Sequence, residues 1–369
     1  MFSRILALVV KEFITLLKEK RSRAVLIVPP LIQLLVFGYA ATYDLKHVPY
    51  AVYNEDAGPG GRRLAAMLRG SPVFAESATV ASIDEVAPLV DAREVLLVVH
   101  IDARFTRNLL AGEPARVQLI VDGRNSNTAL IAVGYVRNLI TRFNREWADE
   151  RRLPAPPAVL ETRAWFNPNL ESRWFFLPGI VGILTLLITM VITAMSVARE
   201  REQGTFDQLL VTPMTPVEVL AGKALPGFII GFLEATLITL IAVLWFDIPL
   251  RGSVATLYGG LALFLLSAVG VGLMISAIAV TQQQGLLGAF LFMVPAVILS
   301  GFATPIANMP TAIQLITYVD PLRYFLIILR ELFLEGAPAA ALLNQLWPMA
   351  VIGVASMAIA GWLFRHRMY

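Results

Sequence analysis

RWFFLPGIVGILTLLITMVITAMSVAREREQGTFDQLLVTP, residues 173–213, sets a long apolar run directly against a compact, charged and strongly punctuated one. Trp174 to Val197 holds no ionisable side chain and has the length of a helix crossing a bilayer core of roughly 30 Å. Residues 199–213 then read as one helix stopped at Gly204 and another started at once. Thr205-Phe206-Asp207-Gln208 has the form of a capping box, and Phe206, Leu209 and Leu210 follow on one face. Thr212-Pro213 closes this short helix after about two turns. Thr215-Pro216-Val217-Glu218 is a second capping box, opening a helix that runs through Lys223 into the next apolar run. A helix of two turns is unstable unless its apolar face packs, either on its own chain or on a partner.

Working outward, further apolar runs occupy 24–42, 222–246, 255–280, 285–304 and 343–364. With 57% hydrophobic and 15% charged residues, the chain reads as an integral membrane protein with six spans. Pro29-Pro30 is expected to bend the first span or mark its start. The apolar stretch 322–334 is too short and too charged to span, so residues 305–336 read as a re-entrant region. There Asp320-Pro321 supplies a helix start. Residues 1–23 do not read as a signal peptide, because Lys11, Glu12, Lys18, Glu19 and Lys20 interrupt any apolar core. Phe2, Ile5, Leu6, Val9, Phe13, Leu16 and Leu17 recur at helical spacing and point to an interfacial helix. Basic residues before the first span, around the 198–222 loop and after the last span place all three in the cytoplasm. The net charge of +3 is accounted for by this orientation signal and does not call for nucleic acid.

Residues 43–172 then lie on the extracytoplasmic side. Their 15 Lys and Arg against 16 Asp and Glu are the balance of a soluble segment. Strands are expected at 48–53, 94–99 and 116–121 and helices at 61–69 and 127–150, which makes an inserted α/β domain. The fold class is therefore membrane all-α, six transmembrane helices plus re-entrant helices, with this α/β domain inserted. The boundaries are 1–23, 24–42, 43–172 and 173–369.

No catalytic constellation is legible. There is no cysteine, and His47, His100 and His366 have no metal-ligand spacing. The one Gly-Lys pair, Gly222-Lys223, has Val217 where a phosphate-binding loop needs glycine and Ala224 where it needs Ser or Thr. Gly58-Pro59-Gly60-Gly61-Arg62-Arg63 reads as a turn and helix start. Glu234, inside the third span, is the intramembrane candidate for substrate binding or for a helix–helix hydrogen bond. Asp320, Arg323, Arg330 and Glu331 are candidates for an ion-pair network or an extracytoplasmic gate. Ala268, Gly272 and Ser276 allow close helix packing, within one chain or between two.

The stretch AREREQGTFDQLLVTPMTPVEVLAGKALPGFIIG (198–231) resembles the cytoplasmic loop of ABC transporter permeases of the type-2 membrane family, drug-export-like branch. PGIVGILTLLITMV (178–191) and YVDPLRY (318–324) are similar too, and the likeness extends over essentially the whole chain. It implies an export permease without its own nucleotide site, energised by a separate ABC ATP-binding subunit that uses ATP and magnesium. The 204–211 helix would be the coupling helix, with Gly204, Thr205, Phe206, Leu209 and Leu210 meeting the ATPase and Arg199, Glu200, Arg201 and Glu202 steering the contact. It further implies a second permease copy or paralogue, an optional periplasmic adaptor, and a bacterial inner membrane with both termini cytoplasmic. Small amphiphilic molecules such as drugs are the expected cargo. Export of lipid, glycolipid or polysaccharide is the alternative, and a membrane receptor sensing through 43–172 the remote one.

Overall fold

A computed structural model describes residues 2–18, 20–40, 45–152, 163–169, 171–206 and 212–367. In chain order the first elements are α1 (Phe2–Lys18), α2 (Lys20–Ala40), β1 (Val48–Asn54), α3 (Pro59–Arg69), β2 (Phe74–Val80), α4 (Val86–Asp91) and β3 (Leu97–Ile101). Then come α5 (Phe105–Ala111), β4 (Val117–Val121), α6 (Ser126–Glu150), α7 (Ser172–Glu202), α8 (Pro216–Leu244) and α9 (Val254–Ile278). The last are α10 (Gln282–Leu299), α11 (Thr311–Ile316), α12 (Pro321–Arg330) and α13 (Leu343–Arg367). The chain divides into two compact units, Met1–Thr42 with Ala164–Tyr369, and Tyr43–Arg163.

The first unit is helical. Among the described residues, 5 helices are long and apolar enough to cross a membrane: α7, α8, α9, α10 and α13. A sixth is reached if the bent pair Thr311–Val319 and Pro321–Glu335 counts as one span. The two halves of that pair turn by 84°. Asp320 sits at the turn, where its carboxylate accepts from Leu322 N at 3.0 Å and Pro321 starts the next helix. α2 continues through Pro29 and Pro30 as one helix, and its apolar part among the described residues is Val28–Tyr39.

α7 is the hub of this unit, packed by α8, α9, α10 and α12. Small residues let these backbones approach. A Cβ on Gly272 of α9 would collide with Thr193, and one on Gly285 of α10 with the Ala194 carbonyl. Ser276 is fully buried and accepts from Val197 N at 2.9 Å, so the small-residue face of α9 packs within this chain. α1 is two-sided. Leu8, Val9, Glu12 and Leu16 are buried, whereas Phe2, Leu6, Val10, Ile14 and Leu17 stay exposed.

The second unit holds a four-stranded sheet in the order β2-β1-β3-β4. β1 runs parallel to both β2 and β3, and β4 is antiparallel to β3. Alternation along β1 and β3 sorts the two faces. Val48, Tyr50, Val52, Leu97, Val99 and Ile101 meet Leu64 and Leu68 of α3 and Val136, Phe143 and Trp147 of α6. Ala51 and Val98 face Val80, Val86 and Val95 on the other side. The strand expected at 94–99 lies at 97–101, and β2 was not foreseen. Only Phe74 and Val80, the ends of β2, are buried, because it is an edge strand with a polar middle.

Candidate functional site

The loop between α7 and α8 has two firmly built ends. At the first, Gly204 adopts φ +67°, a left-handed conformation that glycine enters without steric cost. This lets Gly204 N reach Arg201 O at 3.1 Å and Thr205 N reach Glu200 O at 2.9 Å, closing the last carbonyls of α7. At the second, Glu218 N donates to Thr215 Oγ1 at 3.3 Å while Thr215 N donates to Glu218 Oε2 at 2.8 Å. That is the reciprocal capping box read from the sequence, with Pro216 in the first turn. Arg4 of α1 adds a bond to the Pro213 carbonyl. Leu209, Leu210 and the remainder of the first expected capping box, Asp207 and Gln208, lie outside the described residues.

Behind the loop sits a buried cluster of charge. The ammonium of Lys223, on α8, is fully buried. It lies 2.5 Å from Glu12 Oε1 on α1 and 2.8 Å from Glu200 Oε1 on α7. Lys11 Nζ, at the edge, reaches Glu200 Oε1 at 2.6 Å. Ser196 Oγ donates to Glu12 Oε2 at 3.4 Å. Two ammonium groups thus face two carboxylates, which offsets the cost of taking each from water. The cluster ties α1 to both helices that carry the loop. Leu8 beside Gly222 brings α1 and α8 together at the same level, where a Cβ on Gly222 would sit 2.4 Å from Leu8 Cδ2. A recess of about 500 Å³ opens beside it, lined by Arg4, Leu8, Lys11, Glu12, Glu200 and Met214 among others.

Of the expected docking residues Phe206, Leu209 and Leu210, the structure describes Phe206, and it turns inward. Phe206 is 9% exposed and packs against Leu8, Val197, Val219, Ala277 and Phe364. The Arg201 guanidinium lies 4.9 Å from its ring centre. Burying the ring against the chain's own helices removes a large apolar surface from water. The four charged residues before it are also engaged internally. Arg199 bonds Gln282 at 3.3 Å, Arg201 bonds the Ala277 and Ala279 carbonyls at 2.8 and 3.1 Å, and Glu202 accepts from Gln282 N at 3.0 Å. Together with Glu200 they fasten α7 to the α9–α10 corner and to α1.

The other candidates are far from the loop in the chain and separate from it in contact. Glu234 is 8% exposed on the buried face of α8, and neither carboxyl oxygen has a hydrogen-bond partner. Arg323 bonds Thr317 Oγ1 and lies 4.2 Å from the Tyr318 ring centre. Arg330 lies 4.3 Å from the Phe175 ring centre, in a group that includes the stacked Phe302. Among the described residues Arg323 and Arg330 lie over aromatic rings and form no salt bridge with Asp320 or Glu331, and one Asp320 oxygen caps α12 while the other has no hydrogen-bond partner. Glu331 opens the π turn Glu331–Glu335 that extends α12.

Lys11, Glu12 and Lys223 were not assigned a shared role from the sequence. The available signal was an acidic residue on the buried stripe of an otherwise apolar helix, together with a lysine past the first turn of a span.

Residues 20–362 match the family described as ABC-2 family transporter protein. The chain is 38% identical over 368 residues to the "Probable multidrug ABC transporter permease YbhR" of Escherichia coli strain K12, covering 100% of both chains. It is 34% identical over 355 residues to the "Probable multidrug ABC transporter permease YbhS" of the same strain, covering 94% of this chain and 93% of that one. To the "Inner membrane transport permease YhhJ" of that strain it is 30% identical over 286 residues, 76% of each.

Proposed function

Because this chain belongs to the ABC-2 transporter family, we propose that it is the permease subunit of an ATP-driven exporter of small amphiphilic molecules such as drugs. The observation that carries this is the loop between α7 and α8, closed at both ends and fastened through Lys223 to α1 and α7. A bare connection between two spans needs only a few residues. A loop fixed so firmly at its two ends is suited to receive force and pass it on. The force comes from an ABC ATP-binding subunit that binds and hydrolyses ATP with magnesium, since Lys223, in the one Gly-Lys pair, is taken up by two carboxylates. Leu209 and Leu210 carry the contact with that subunit, joined by Gly204 and Thr205 at the rim of the loop. Arg199, Glu200, Arg201, Glu202 and Phe206 transmit it inward.

In this reading two permeases and two ATPase subunits form the working unit, the second permease being a copy or a paralogue. α2 is the first of six spans, both termini are cytoplasmic, and the sheet-containing unit is extracytoplasmic in a bacterial inner membrane. Arg323, Arg330 and their aromatic partners close the outer end as a gate, and a periplasmic adaptor could dock on the outer unit. The descriptions of the multidrug permeases above favour drugs over lipid, glycolipid or polysaccharide as cargo.

The test is affinity purification of the tagged chain from its native membrane, with mass spectrometry of bound proteins. A P-loop ATPase is expected with the wild type and is expected to be lost with Leu209→Asp/Leu210→Asp. Purification of the wild type without any ATPase would overturn the export reading. Full retention by the double variant would move the docking face elsewhere.

A further inference from the structure

Glu234 is the one acidic or basic residue within 174–198, 224–244, 254–278, 282–299 and 343–364, the apolar parts of the five long helices. It lies on the face of α8 made by Gly227, Gly231, Ala235 and Ile238, which is buried against α7 and α9. The backbones come close at Gly231, where a Cβ would sit 2.3 Å from Thr189 Oγ1 and 2.6 Å from Leu265 Cδ2. Thr189 is fully buried, and its hydroxyl, like both oxygens of Glu234, has no hydrogen-bond partner. Two unsatisfied polar groups therefore stand about one helical turn apart along the same seam.

A buried carboxyl without a partner is costly, and such groups in membrane helices mark pathways. Among the described residues no cation is in hydrogen-bonding contact with Glu234, although α1, which also packs on α8, carries Arg4, Lys11 and Lys18. The facing stretches of α7 and α9 hold no Lys, Arg or His, and Lys223 is held by Glu12 and Glu200. Tyr258, the sole ionisable group of α9, donates to Thr236 at 3.1 Å. What satisfies Glu234 is then either a proton held on the carboxyl or a mobile cation. An inorganic cation needs several oxygen ligands, and the seam offers one carboxyl and one hydroxyl. A lipophilic cation needs one carboxylate among apolar and aromatic walls. The apolar walls are present, since Ile230, one turn from Glu234 on α8, packs with Ile188 and Ile192 of α7, while the stack of Phe228, Phe232 and Tyr258, with centroid separations of 6.4 and 4.9 Å, lies on another face of α8.

We propose that Glu234 is the recognition residue for lipophilic organic cations, bound where α8 parts from α7 and α9. The seam is closed in this conformation, and α7 and α8 are the two helices that carry the coupling loop, so their movement would open it. The proposal rests on the export reading for its biological meaning, but not for its test.

The test is saturation binding of radiolabelled tetraphenylphosphonium to the purified full-length chain in detergent, for wild type, Glu234→Gln and Glu234→Asp. Saturable binding is expected, weakened at least about tenfold in Glu234→Gln and close to wild type in Glu234→Asp. Absence of saturable binding to wild type, or binding to Glu234→Gln within about twofold of wild type, overturns the proposal. A second arm measures ATP-driven export of tetraphenylphosphonium and of a neutral drug by the whole complex in vesicles. Selective loss of the cation in Glu234→Gln supports the proposal, whereas equal loss of both makes Glu234 structural and overturns it. Failure of the wild-type complex to export either compound counts against the export reading and leaves the binding result to decide the role of Glu234.

Discussion

At the scale of single residues, Lys223 carries the sharpest consequence. Its ammonium is surrounded by Glu12 and Glu200 with no access to water. Removing one member of a buried charge group leaves the others uncompensated and costs about 3–5 kcal/mol. Lys223→Met is therefore expected to lower the thermal unfolding midpoint of the purified chain markedly, and Glu12→Gln combined with Lys223→Met to recover part of that loss. A single variant that melts with the wild type would show that the cluster is not formed in the folded protein. A second expectation concerns Asp122, whose carboxylate is held by Arg124 at 2.8 Å from both Nε and Nη2. The side-chain hydrogen bonds from Arg124, aided by its backbone N–H, pull the Asp122 pKa down to about 2. The folded value is below the ordinary 3.8, so the stabilisation is complete above that pH and is lost as pH falls through about 2. Carboxyl NMR titration should find Asp122 ionised down to about pH 2 and shifted back toward 3.8 in Arg124→Ala. An unchanged midpoint in that variant would remove Arg124 as the cause.

At the scale of elements, the loop ends were legible because caps are local. Thr215 and Glu218 are three residues apart, and the reciprocal bonds they form depend on nothing distant. Gly204 was legible for the same reason, as a stop whose positive φ favours a residue without a Cβ. Gly204→Ala and Thr215→Ala are each expected to destabilise their helix end by about 1 kcal/mol. Hydrogen exchange should then accelerate in peptides covering 199–206 for the first and 214–220 for the second, and unchanged protection would show that the caps carry no local stability. Edge strand β2 was hidden because its middle, Glu76 to Thr79, is polar on an open sheet edge and carries no alternation toward a core. The inward turn of Phe206 was hidden too. Its helical spacing identifies an apolar face, but only Leu8 and Phe364, 198 and 158 positions away in the chain, decide what that face meets.

At the scale of the whole molecule, apolar run length made the helical membrane architecture readable, since spanning helices must satisfy their own backbones. The charge cluster was unreadable because Glu12, Glu200 and Lys223 come from three separate helices, and nothing in the spacing of 12, 200 and 223 announces their meeting. Its position nevertheless makes a claim about motion. If the cluster fastens α1 to α8, the two helices move as one body when the loop is driven, and α1 is a lever attached to the transport helices. The sequence has no cysteine, so an engineered pair would be the only thiols in the chain. Leu8→Cys with Gly222→Cys is the natural site, because a Cβ on Gly222 would lie 3.0 Å from Leu8 Cβ. Disulfide-linked Cβ atoms sit about 3.5–4.5 Å apart, so a small opening of the contact accommodates the bond. In the complete complex, oxidising this pair is expected to leave ATP-driven transport within about twofold of the reduced form, as one rigid body loses nothing by being linked. Transport that falls about tenfold on oxidation and returns with reductant would mean that α1 slides on α8 during the cycle. The ion cluster would then have to break and re-form at each turnover, and the two helices could not be a single lever.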